Sequence, residues 1–133
     1  TMQVYAIERK LEAVELIQQN VNKFGLENVF IIKDEAPKGL RKLPTPTHAF
    51  IGGTGGHMQE ILKILLEKNP EIHIVANAVS FETLQEFLQI EKSFPVEDFQ
   101  IVTLSATRTK KLENYHMMQS ENPVFICSFQ GKK

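Results

Sequence analysis

Ala49-Phe50-Ile51-Gly52-Gly53-Thr54-Gly55-Gly56 decides how this chain folds. An apolar run stops at a loop with four glycines in five positions, and a helix-like pattern, His57 to Lys68, follows at once. That order reads as a strand, a tight glycine loop and a helix start. In open α/β sheets ligands bind at the carboxyl ends of the strands, and glycine lets a backbone approach a ligand because no Cβ intervenes. Taken alone, the loop also reads as a turn that only reverses the chain. It lacks the lysine of a P-loop, which argues against a nucleoside triphosphate.

Alternating elements flank this loop. Upstream, Gln3 to Ile7 reads as a short buried strand. Leu11 to Phe24 reads as a helix, with Leu11, Val14, Ile17, Val21 and Phe24 at helical spacing and Gly25 as its stop. Asn28 to Ile32 is a second strand, and Pro37 to Pro46 is a turn-rich connection. His48 to Ile51 is the third strand. Downstream, Met58 to Glu67 is a helix with Ile61, Leu62, Leu65 and Leu66 on one face, closed by Asn69-Pro70. Ile72 to Ala78 is a strand, and Phe81 to Ile90 a helix capped by Ser80. Phe99 to Ala106 is a strand, Thr107 to Asn122 a polar connection, and Pro123 to Phe129 the last strand. The alternation predicts an α/β fold, a mostly parallel sheet with helices on both faces and a C-terminal antiparallel hairpin.

With 133 residues the chain forms one domain with a real core. Its formal net charge of −1 gives no global attraction for nucleic acid or anionic lipid. The single cysteine, Cys127, excludes an internal disulfide and reads as a small buried hydrophobe. No run approaches a membrane span and no secretory signal opens the sequence, so the expected location is cytoplasmic.

Several residues on the expected carboxyl edge carry chemistry. Glu8 sits just past the first strand, where an acid accepts both hydrogens of a ribose diol; it reads equally as a solvated carboxylate paired with Arg9 or Lys10. Asp34-Glu35-Ala36-Pro37 follows the second strand, where an acid and a backbone N–H suit an adenine, although acids there also serve turns. Asn77, at the end of the fourth strand, can donate and accept or satisfy nearby backbone. Arg108, Lys110 and Lys111, with Tyr115, His116 and Met117-Met118 close behind, would attract a polycarboxylate; as a solvated loop they need no ligand. His57 and His116 are candidates for proton transfer. No spacing suggests a metal site, and no serine sits in a nucleophile elbow.

Together these stretches resemble the class I S-adenosylmethionine methyltransferases of the cobalamin pathway. The resemblance is to the precorrin-6Y C5,15-methyltransferase C-terminal domain and cobalt-precorrin C15-methyltransferase (decarboxylating) family. Val4-Tyr5-Ala6-Ile7-Glu8-Arg9 is similar to its acidic strand motif, and Asp34-Glu35-Ala36-Pro37 to its Gly-Asp-Ala-Pro loop. Phe50 to Gly56 resembles its Phe-Ile-Gly-Gly-Ser-Gly-Gly signature. Leu104 to Ile126, with Arg108, Lys110-Lys111-Leu112, Tyr115, Met118 and Asn122-Pro123-Val124, resembles its C-terminal block.

The resemblance implies a Rossmann-like sheet and S-adenosylmethionine as cofactor. It places Glu8 at the ribose, Arg9 among the cofactor-binding residues, Glu35 and Ala36 at the adenine, and Gly52 and Gly53 at the methionine end. Thr54, Gly55, Gly56, Asn77, Arg108, Lys110 and Tyr115 would face the substrate. The implied reaction is methyl transfer to C15 of a precorrin, with loss of CO2 from the C12 acetate. The implied assembly is a homo-oligomer, with a tetramer as one form, and no nucleic-acid or membrane partner. The family's Asp-x-Gly-x-Gly-x-Gly loop should precede Glu8 by about 20 residues, so the expectation is a domain over residues 1–133 that lacks its first strand and helix, with an unpaired edge or gap in the sheet. Asp34 stands where the family has glycine. The rival readings are an RNA methyltransferase of the same fold, or a non-enzymatic assembly module.

Overall fold

The computed structural model describes residues 2–133. The elements run β1 (Val4–Glu8), α1 (Leu11–Lys23), β2 (Val29–Lys33), α2 (Ala36–Arg41), β3 (His48–Ile51), α3 (Met58–Lys68) and β4 (His73–Ala78). They continue with α4 (Phe81–Ser93), β5 (Val96–Leu104), β6 (Thr107–Leu112), β7 (Tyr115–Ser120) and β8 (Val124–Gly131).

β1 and β2 form a parallel pair in which Glu8 stands beside Lys33. A four-stranded sheet follows in the order β3-β4-β8-β5. β3 and β4 are parallel, with Ile51 beside Ala76. β8 runs antiparallel to both β4 and β5, so β4 and β5 share a direction. The expected C-terminal antiparallel pair is formed by β5 and β8, with β8 lying between β4 and β5 and the β6–β7 hairpin within their connection. Among the described residues no ladder joins β1 to β3, and the sheet is broken there.

The core lies on one face of the four-stranded sheet. Ile61, Leu62, Leu65 and Leu66 of α3 and Phe87 and Ile90 of α4 pack with Ile74, Ala76, Cys127 and Phe129. The helical spacing of α3 aims these side chains inward. Successive residues of a strand alternate in direction, which leaves Phe50, Val75, Val102 and Leu104 exposed on the other face.

Three expectations are corrected. Residues 37–41, the first part of the turn-rich connection read over 37–46, lie instead in α2, with Pro37 in its first turn. Proline is tolerated there because the N–H it lacks would be unpaired anyway. Gly39 lets the helix lie close to β1 and β2: a Cβ on it would stand 3.3 Å from the Asp34 Cβ and from Ile7 Cγ2. Most of the polar connection 107–122 is instead the hairpin β6–β7, paired from Thr107↔Ser120 to Leu112↔Tyr115. Finally, β1 is only half-buried, and α1 has no buried residue, with Leu11 and Phe24 exposed.

Candidate functional site

The glycine loop leaves β3 and enters α3 as the pattern required. Gly55 (φ +57) and Gly56 (φ +90) adopt the left-handed region, which costs a residue with a Cβ about 1–2 kcal/mol. Around the loop lies a cleft of about 290 Å³, lined by Gly52, Gly53, Thr54, Gly55 and Gly56 with Met58, Asn77, Ala78, Val79, Thr83 and Glu86. Cβ atoms added at Gly53 or Gly56 would meet nothing within 4 Å, so both backbones face open space. Asn77 Oδ1 comes within 3.9 Å of where a Gly52 Cβ would stand. A cradle of bare backbone with one amide beside it can hold a polar ligand closely.

A second group gathers at the ends of β1 and β2. Glu8 Oε1 accepts the Lys10 N–H at 2.8 Å. This partly satisfies the local alternative read from sequence, yet a carboxylate has about four lone-pair sites and keeps room for two hydroxyl donors. Arg9 and Glu35 approach to 3.9 Å, linking the two strand ends. Asp34 Oδ1 accepts the Glu35 N–H at 2.8 Å, so the residue that replaces the family's glycine braces its own loop. The N–H of Ala36, in the first turn of α2, has no partner within the helix.

The two groups share an edge because α2 spans them. It packs on Ile7 and Ile32 near the ends of β1 and β2, and Arg41 at its far end lies 3.8 Å from Glu60 in the first turn of α3. The cleft itself does not reach Glu8, Arg9, Glu35 or Ala36.

The hairpin stands apart from the cleft as well, although it starts at the same edge. Leu104 pairs with Val124, next to Phe125, which faces Ala78. Every residue from 107 to 120 is exposed. Arg108 and Lys110 share one hairpin face, and Tyr115, beside Leu112, lies on it too. Arg108 is held by Glu121 at 3.3 Å. His57 precedes α3 and faces Glu60 at 3.8 Å, while His116 lies on the hairpin; neither lines the cleft. Glu86 and Thr83 do line it and were missed by the sequence reading. Their only signal is a spacing of three residues on α4, which acquires meaning once α4 is set against β4. Among the described residues no group of three or more metal-ligating side chains gathers.

Residues 1–130 match the family described as precorrin methyltransferase domain. The chain belongs to that family. The probable cobalt-precorrin-6B C(15)-methyltransferase (decarboxylating) of Methanothermobacter thermautotrophicus is 36% identical over 125 residues, 92% of this chain. The precorrin methyltransferase domain seen here spans 65% of that relative's length. The crystal structure of precorrin-6Y C5,15-methyltransferase from Geobacter metallireducens superimposes with a TM-score of 0.83 at 33% identity, over 96% of this chain and 68% of that one. A SAM-dependent O-methyltransferase from Thermotoga maritima, 15% identical over 98% of this chain and 50% of its own, reaches 0.75 and shares the fold alone. The architecture is thus the Rossmann-like α/β fold of class I methyltransferases. No helix of the described residues is long and apolar enough to cross a membrane.

Proposed function

We propose that this domain serves methyl transfer from S-adenosylmethionine to C15 of a precorrin or cobalt-precorrin, with loss of the C12 acetate carboxyl as CO2, in cobalamin biosynthesis. The observation that carries this reading is the bare glycine cradle of Gly52–Gly56, open to a cleft on the edge that also presents Glu8. When bound, the sulfonium cofactor supplies an activated methyl group.

The chain's own residues bind and orient. Glu8 holds the ribose hydroxyls by charge-assisted bonds, with Arg9 keeping Glu35 in place beside it. Glu35 accepts from the adenine amino group, and the Ala36 N–H donates to a ring nitrogen. Gly52 and Gly53 let the methionine end lie against backbone. Thr54, Gly55, Gly56 and Asn77 shape the acceptor side. Arg108, Lys110 and Tyr115, on one face of the hairpin, meet the carboxylates and the flat ring. Positioning of this kind can supply much of a methyl-transfer rate without an acid–base dyad. The hairpin is also the surface through which we expect the domain to form a homo-oligomer.

Calorimetry with S-adenosylhomocysteine tests the cofactor site. The chain should bind it, and Glu8→Gln should weaken binding by about tenfold or more, since a hydrogen bond to a charged group contributes about 1.5–3 kcal/mol. No binding either by this chain or by one extended upstream with the family's Asp-x-Gly-x-Gly-x-Gly loop would refute the cofactor assignment. Incubation with cobalt-precorrin-6B should then release CO2 and S-adenosylhomocysteine in equal amounts.

A further inference from the structure

Glu86 is half-buried on α4 and lines the cleft together with the glycine loop. The cap fixes it there: Ser80 Oγ accepts the Thr83 N–H at 3.2 Å and donates to Thr83 Oγ1 at 3.1 Å. Thr83 and Glu86, one turn apart, face the cleft while Phe87 and Ile90 enter the core. Among the described residues that line the cleft, Glu86 alone has an ionisable side chain. It takes part in no ion pair with any described residue. A lone carboxylate opposes binding of a polycarboxylate by like charge, unless it meets a cationic part of a ligand or a part that gives up a proton.

Methyl transfer to C15 with decarboxylation contains such a part, and the role of Glu86 rests on that functional reading. Loss of CO2 breaks a C–C bond and leaves its electron pair in the conjugated ring. That pair forms the new bond from C15 to the methyl group, while the pair of the broken C–S bond stays on sulfur. C15 still bears its hydrogen, and the former acetate carbon is now an exocyclic methylene. To reach the aromatic-like conjugation of the product, C15 loses a proton and the methylene gains one. The two transfers cancel, so the reaction needs a carrier and no net acid or base.

We propose that Glu86 is this carrier: its carboxylate takes the proton from C15, and the resulting carboxylic acid delivers it to the methylene, making the methyl group. The C–H electron pair released at C15 passes through the ring to the methylene carbon, where it forms the new C–H bond. A carboxylate is suited to both halves because it ends the cycle in the state in which it began.

The test compares the full chain with Glu86→Gln and Glu86→Asp. The readouts are S-adenosylhomocysteine affinity by calorimetry and conversion of cobalt-precorrin-6B across pH, followed by absorbance of the final ring. Glu86→Gln should keep its affinity within about twofold yet lose about a hundredfold in conversion, the lower end of what general acid–base groups contribute. Its acid limb in the pH profile should vanish, and Glu86→Asp should restore both conversion and limb in part. Conversion by Glu86→Gln close to that of the parent, or an unchanged pH profile, would overturn the proposal. Were Glu86→Gln to lose affinity through misfolding, Glu86→Asp decides: a parent-like rate and profile would overturn the role, and a slowed rate with a displaced limb would support it. Failure of the parent, both as it stands and extended upstream with the family's Asp-x-Gly-x-Gly-x-Gly loop, to bind S-adenosylhomocysteine or to release CO2 would instead overturn the methyltransferase reading, and Glu86 with it.

Discussion

At the scale of the residue, the structure bears out the small buried hydrophobe read from sequence at Cys127. The side chain is fully buried in β8, in register with Ala76 and Ile101. Burial disfavours the thiolate and pushes the thiol from 9.0 up to about 12. The native state therefore holds its proton where the unfolded chain has already released it. Stability from this group is complete below pH 9 and declines as pH rises through 9 toward 12. A thiol reagent at about pH 8 should label Cys127 only as fast as the fold opens, and urea midpoints should fall between about pH 9 and 11. Labelling in seconds under native conditions would contradict the packing around β8. Other single residues were legible for the same local reason. Glycines at 55 and 56 hold positive φ because little else does so cheaply, and Ser80 caps α4 because its hydroxyl reaches the Thr83 N–H.

At the scale of the element, Ser80→Ala should cost about 1 kcal/mol, visible as a lower melting temperature without loss of the fold. Since α4 carries Thr83 and Glu86, the same change should loosen that wall of the cleft. Elements whose signal is local were readable: α3 and α4 show the 3.6-residue period, and the glycine loop interrupts it in one place. Elements made by tertiary contact were not. α2 has six residues with Pro37 and Gly39 among them, a turn-like composition, and it becomes a helix because Gly39 fits against Ile7, Ile32 and Asp34. The hairpin β6–β7 buries neither face, so its sequence has no alternation to read. The site divides the same way. Glu8, Glu35, Gly52 and Asn77 were visible because each lies at or just past the end of a strand, while Glu86 depends on how a helix rolls on a sheet. The structure leaves the hairpin cations outside the cleft that holds the glycines, a separation that chain order does not express.

At the scale of the whole molecule, the distribution of apolar surface bears on the homo-oligomer proposed above. The hairpin exposes Leu112, Tyr115, Met117 and Met118, the last at 83% of its full accessibility. A two-stranded ribbon is marginal in water unless something packs on it or extends it, and both its outer edges carry unpaired backbone groups. Phe50, Val75, Val102 and Leu104 add apolar surface on the open face of the sheet. Burying one such side chain contributes about 1.5–3 kcal/mol, so a few of them offset much of the entropy of association. The hairpin's cations oppose a simple face-to-face pairing of two copies through Arg108 and Lys110. The opposite face, with Thr107, Thr109, Met118 and Ser120 and a single lysine, Lys111, beside His116, carries less charge and is the better seam. Light scattering should therefore give a multiple of 15.2 kDa. Met118→Glu should return the species to monomer, whereas Lys110→Ala should not. If Phe50→Glu rather than Met118→Glu dissolves the assembly, the open sheet face is the seam and the hairpin is left free for the ring. A monomer in the parent chain would remove the oligomer from the proposal and leave the hairpin to the substrate alone.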